Sequence, residues 1–170
     1  MSKYLPVTPL TAENFAPFGQ VIDRRHHSHF LINGGSTERY HNMAKVTLGP
    51  NDGDAIISVF RKPIADVLPL PITMLERHPY GSQAFIPLKG CPFLIVVAPP
   101  ADQPDPNAMR FFISDGSQGV NYAAGVWHHP LIVTQDEDEL LVVDRSGELP
   151  NCDEYHFTTD QTYWVELEQK

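Results

Sequence analysis

The residues best suited to chemistry lie between Leu75 and Gly90, in the run Leu-Glu-Arg-His-Pro-Tyr-Gly-Ser-Gln-Ala-Phe-Ile-Pro-Leu-Lys-Gly. Its apolar residues follow no helical period, and Pro79 and Gly81 interrupt it. The run therefore reads as two strands joined by a short turn. Glu76 and His78 are two apart, so both side chains leave one face of the first strand. Gln83, Phe85 and Pro87 share one face of the second. If those faces coincide, a carboxylate, an imidazole and a carboxamide converge on one small ligand. Two readings follow. The set can hold a divalent ion through nitrogen and oxygen ligands, or it can form a metal-free pocket in which Glu76 and His78 act directly as base and acid.

Further polar residues are weighed by strand parity. Lys89 has the parity of Gln83 and Phe85, which makes it a candidate for holding a substrate carboxylate. Arg61 has the parity of Ile57 and Val59 and can point inward at a barrel mouth, although a surface arginine is the commoner outcome. Asn121 and Tyr122 have opposite parity, so one of them lines the pocket, and Asn121 is assigned there. His26, His27 and His29 crowd one loop beside Arg24 and Arg25 and read as solvated. Asp144 beside Arg145 reads as an ion pair without functional role.

Many short strands must position these groups. Thr11 can cap a short helix through Phe15, stopped by Gly19, with Phe15 and Phe18 on one face. Strands are expected at Val21–Asp23, Phe30–Ile32, Lys45–Leu48 and Ala55–Arg61, with Asn33-Gly34-Gly35 and Asp52-Gly53 as turns. The continuous apolar run Phe93–Ala98 reads as a barrel strand. Met109–Ser114 and Gly119–Tyr122 read as a hairpin across Asp115-Gly116. Leu140–Asp144 is the last barrel strand, and the acidic turn Asp136–Glu139 reads as solvated.

The frame Glu76-x-His78-x4-Gln83-x6-Gly90 resembles the first cupin motif, Gly-x5-His-x-His-x3–4-Glu-x6-Gly, with Glu for the first His and Gln for the Glu. Gly125-Val126-Trp127-His128 matches the Gly-x2-His of the second motif. More specifically, the chain resembles the ureidoglycolate lyase family. The resemblance rests on Phe15-Ala16-Pro17-Phe18-Gly19, Ile32-Asn33-Gly34, Glu38-Arg39-Tyr40-His41, Leu75–Pro79, Gln83–Pro87, Gln118–Tyr122, Val126–Pro130 and Asn151-Cys152-Asp153. It implies a mainly β, cupin-like antiparallel barrel (double-stranded β-helix or jelly roll). It implies cleavage of (S)-ureidoglycolate to glyoxylate and urea in allantoin and purine catabolism. It also implies His128, not His129, as the inward imidazole, a metal set of Glu76, His78, Gln83 and His128, and Ni2+ or Mn2+ as the ion. The alternatives are a non-catalytic cupin binding a small anion, and an amidohydrolase that releases ammonia from ureidoglycolate.

Composition sets the remaining bounds. The 170 residues fit a single domain, and 16 prolines with 11 glycines favour strands and turns over long helices. A net charge of −9 argues against nucleic acid or an anionic membrane as partner, since phosphate repels such a surface. Two cysteines, Cys91 and Cys152, make no disulfide framework, so a reducing, cytoplasmic setting is expected. The aromatic C-terminal segment, with Tyr155, Phe157, Tyr163 and Trp164, is expected to pack on a partner subunit of a homodimer or on its own barrel.

Overall fold

A computed structural model describes residues 3–50 and 53–167, so Asp52 of the expected Asp52-Gly53 turn lies outside the described residues. The chain runs through β1 (Lys3–Tyr4), β2 (Val7–Pro9), α1 (Ala12–Phe15), β3 (Gly19–Ile22), β4 (Phe30–Ile32), β5 (Thr37–Arg39) and β6 (Asp54–Lys62). It continues through β7 (Leu70–Ile72), β8 (Met74–Arg77), β9 (Gln83–Pro87), β10 (Phe93–Ala98), β11 (Arg110–Ile113) and β12 (Gly119–Tyr122). Last come β13 (Trp127–His128), β14 (Ile132–Val133), β15 (Asp138–Ser146), β16 (Asp153–His156) and β17 (Tyr163–Val165). The fold is mainly β, as expected.

Three layers form. One sheet has the order β3-β12-β9-β15-β6, and a larger one runs β16-β8-β13-β10-β11-β2 with β14 beside β10. The first core lies between them, with Val21, Phe85, Val120, Leu140 and Val142 from one side and Phe93, Ile95, Val97 and Phe112 from the other. Leu94, Val96, Ala98 and Trp127 leave the far face of the larger sheet. They form a second core with Ile72 and Val165 of the small sheet β1-β17-β7. Both faces of β10 are therefore buried, which is why its sequence is continuously apolar. The expected antiparallel barrel takes the form of two facing sheets. Among the described residues no ladder joins them, and β2 and β1 pair in parallel with β11 and β17.

The N-terminal helix forms where Thr11 caps it, Thr11 and Asn14 exchanging side-chain and backbone hydrogen bonds. Phe15 and Phe18 enter the first core, their rings 5.9 Å apart and each against Phe112. Each such aromatic pair adds about 1 kcal/mol beyond burial.

Several expectations are corrected. Lys45–Leu48 is not a strand; it is held by Thr47, whose N–H donates to the Ser82 hydroxyl and whose carbonyl accepts from the Ser82 N–H. β11 and β12 are not a hairpin. Each pairs in a different sheet, and the Gly116 turn carries the chain across. The acidic turn is not wholly solvated: Asp138 is buried. Of the two arrangements expected for the C-terminal segment, packing on its own chain is seen, with Phe157 and Val165 in the second core and Tyr155 and Tyr163 against it. Among the described residues no helix is long and apolar enough to cross a membrane.

Candidate active site

The site sits at one end of the first core, where alternation aims neighbouring residues at opposite layers. On β8, Leu75 enters the second core while Glu76 turns toward the first. On β13, Trp127 and His128 divide the same way. The ladder sets Glu76 opposite His128 and brings His128 Nε2 to 3.5 Å from Glu76 Oε1. His78 follows β8, with its ring centroid 5.2 Å from that of His128. Gln83, the first residue of β9, is buried and holds its Oε1 3.2 Å from His128 Nε2. One ligand atom each from Glu76, His78 and His128 lies within 4.8 Å of the other two. The four residues of the expected ligand set are thus brought together.

The hydrogen bonds orient both rings. His78 Nδ1 donates to the Asn151 carbonyl at 2.5 Å, and its Nε2 is buried without a partner. His128 Nδ1 lies 3.1 Å from the Val126 carbonyl and donates to it. Its Nε2 then faces two oxygens, those of Gln83 and Glu76. Only a positive centre, a proton or a cation, relieves that arrangement. Burial raises the pKa of Glu76. The hydrogen bond from His128 and the charges of His128, His78 and His129 outweigh burial and hold it below the usual carboxylate value. Glu76 also comes within 4.8 Å of Cys152 and Glu154 on the solvent side, where burial followed by the charges of Glu76, Glu154 and Asp153 pushes the Cys152 thiol up.

Three expected contacts are elsewhere. Lys89 lies six residues beyond Gln83, roughly 20 Å at the rise of a strand, and donates to the Glu137 carbonyl. Arg61 lies opposite Glu139 on the outer face of β6 and pairs with Glu137 and Glu139. The acidic turn thus occupies both cations. Asn121 points away from the first core, donating to the carbonyl of Lys45 and to Gln20 Oε1. His129 turns from the site and donates to the Pro130 carbonyl, with burial lowering its pKa. In the histidine loop, Asp23 caps a turn over Arg24–His26 and accepts from Arg25; His27 donates to the Asp23 carbonyl.

Residues that the sequence reading did not assign to the site also take places in it. Tyr122 stacks on His128 at 4.4 Å between centroids and 11° between planes. Burial and then the charge of Glu76 push its pKa up, so the phenol keeps its proton. Asp144 forms no ion pair with Arg145. Its Oδ2 accepts from Gln83 Nε2 at 3.3 Å, while Arg145 donates to the carbonyls of Leu48 and Pro50. The period-two run Leu140, Val142, Asp144 carried the signal for Asp144. Asn151, which orients His78, stands in one of the stretches that carry the family resemblance, but no strand period or turn pattern points to its role.

Residues 2–166 match the ureidoglycolate lyase family. The ureidoglycolate lyase of Azotobacter vinelandii is 54% identical, over 94% of this chain and 95% of that protein. That of Pseudomonas savastanoi pv. phaseolicola is 57% identical, over 92% of each. Among solved structures, a dTDP sugar isomerase of Desulfovibrio desulfuricans aligns at a TM-score of 0.41 with 14% identity, over 88% of this chain and 86% of that one, a likeness too weak to argue from. Agreement at more than half of all positions, over nearly the whole length, leaves one assignment: the chain belongs to the ureidoglycolate lyase family.

Proposed function

We propose that this chain cleaves ureidoglycolate to glyoxylate and urea. The observation that carries the reading is the convergence of an ionised Glu76, the open Nε2 of His78 and the phenol of Tyr122 around His128. The reaction converts a carbon bearing a hydroxyl and a ureido nitrogen into a carbonyl. A base must take the hydroxyl proton, and the departing nitrogen must gain one. Glu76, held ionised, is suited to take the first proton. Tyr122, held protonated, keeps an O–H to donate, which suits a hydrogen bond to the departing urea. His128, Gln83 and Tyr122 are buried, so charge contacts on that side of Glu76 are stronger than at a surface.

The donor set fits a divalent ion. His78 Nε2 is a buried nitrogen without a partner, and His128 Nε2 faces oxygens that call for a positive centre. His78, His128 and one oxygen of Glu76 would hold nickel or manganese, with Gln83 Oε1 beside them. When bound, such an ion would anchor the substrate carboxylate and polarise the hydroxyl, a task left open by Lys89 and Arg61 at the other end.

The deciding assay mixes purified protein with ureidoglycolate and measures glyoxylate, urea and ammonia. Urea in step with glyoxylate supports the reading; ammonia in its place sinks it. Nickel or manganese should raise the turnover of chelator-treated wild type and leave His78→Ala unchanged. An equal response in both proteins removes the metal from the account.

We further infer a homodimer built on β6. Among the described residues this nine-residue strand pairs only with β15. Its outer face exposes 72% of Ile57 and 56% of Val59, and Ile64 and Val67 beyond it are more exposed still. Proteins rarely leave a long apolar edge uncovered. Light scattering at micromolar concentration should give twice the chain mass for wild type and the chain mass for Val59→Lys; a monomeric wild type discards the idea.

A further inference from the structure

Asp144 projects from β15 on the same face as Leu140 and Val142, both fully buried. An aliphatic residue there would simply extend the core. The chain instead places a carboxylate whose Oδ1 is buried without a partner and whose Oδ2 has one neutral donor at 3.3 Å. A buried acceptor left unpaired loses its hydration without replacement, so the carboxylate weakens the fold where it stands.

Its effect on Gln83 offsets that cost. A carboxylate accepts hydrogen bonds and cannot donate them. The carboxamide of Gln83 must therefore turn its nitrogen toward Asp144, which aims Oε1 at His128 Nε2. Turned over, the same side chain would present N–H to the His128 ring and an oxygen to the carboxylate. The three residues come from β15, β9 and β13, so each link joins strands remote in sequence.

We propose that Asp144 is a positioning residue, acting through Gln83 to fix which atom of the carboxamide faces His128. This rests on the lyase reading for its kinetic consequence. Asp144→Asn lets the pair exchange donor and acceptor, since an amide can meet Gln83 either way. Loss of such an orienting contact typically costs about 10–100-fold in activity.

A double-mutant cycle on the folded full chain tests it. Asp144→Asn should lower kcat/KM about 10–100-fold in the wild-type background. In a Gln83→Leu background, itself impaired, it should cost less than about threefold, because its target is gone. Equal losses in the two backgrounds overturn the proposal, as does an Asp144→Asn protein with wild-type turnover. A nuclear Overhauser measurement needs no activity and keeps the test alive if wild type does not cleave ureidoglycolate, which would sink the lyase reading alone. In Asp144→Leu, whose packing should preserve the fold, the Gln83 amide protons should draw closer to the His128 ring than in wild type. An unchanged pattern refutes the positioning role.

Discussion

Replacing Gly81 with alanine should damage the site without touching a reacting group. Gly81 lies in the turn between the strands that carry Glu76 and Gln83. A Cβ there would meet Arg145 Cβ at 2.7 Å, Arg145 Cδ at 3.2 Å and Asn151 Nδ2 at 3.3 Å. Carbon atoms pack at about 3.5–4.0 Å, so the overlap with Arg145 Cβ is close to 1 Å. That atom is fixed to the backbone of β15, and the guanidinium beyond it donates to Leu48 and Pro50. The turn must give way, and Asn151 with it. Asn151 accepts from His78 Nδ1 and from the Tyr80 N–H, so the displacement passes to the imidazole. Overpacking of this kind costs about 1–3 kcal/mol, roughly 3–10 °C of Tm for a chain this size. Misplacement by most of 1 Å should cut kcat about 10–100-fold. Gly90→Ala is the control, because Gly90 has φ +71° with nothing within 4 Å of a Cβ. It should lose about 1 kcal/mol to backbone strain and keep full turnover. Circular-dichroism melts and a glyoxylate assay on both variants decide the matter. A Gly81→Ala protein with wild-type Tm and turnover refutes the reasoning, and so does equal loss of turnover in Gly90→Ala.

Other expected outcomes are as direct. Tyr122→Phe keeps the stack on His128 and removes the donor, so turnover should fall about 10²-fold with little change in Tm; unaltered turnover removes Tyr122 from the chemistry. Lys89→Ala and Arg61→Ala should leave KM for ureidoglycolate unchanged, since their partners are Glu137 and Glu139; a rise in KM would return them to the site. Acid titration of stability should show Asp23. The side-chain hydrogen bond with Arg25 outweighs burial and, helped by contacts from the Arg25 backbone and Gln118, lowers its pKa from 3.8 to about 2. A lowered carboxyl pKa gives stability that is complete above pH 4 and lost as pH falls toward 2. The half-exposed Arg25 screens the pair, so the contribution should be about 1 kcal/mol, read as a loss that Asp23→Asn abolishes.

How much of this was legible can be argued from single residues. Glu76, His78 and Gln83 follow from period-two alternation, which needs only the strand direction. The capped helix at Thr11 and the doubly buried β10 are also local signals. Tyr122 and Asn121 were not separable, because alternation gives two faces without saying which is inward. Arg61 and Lys89 failed for another reason: their partners, Glu137 and Glu139, lie in a segment whose register against β6 and β9 is set by tertiary pairing. Asp144 was readable as the third member of an inward series. An adjacent arginine made a surface ion pair the simpler reading, and only the loop carbonyls of Leu48 and Pro50 show where that arginine goes.

The parallel pairing of β1 with β17 ties Lys3 to Tyr163 and Tyr4 to Trp164. About 160 residues separate the two members of that ladder, so closing it costs more chain entropy than any hairpin in the molecule. During synthesis, β1 leaves the ribosome long before its partner exists and must wait for it. On the ribosome the small sheet, which covers Leu75, Val96 and Trp127, cannot be completed until β17, after every other strand, has emerged. Until then those side chains lack the cover that β17 supplies, and transiently open apolar surface of this kind is what chaperones and neighbouring chains bind.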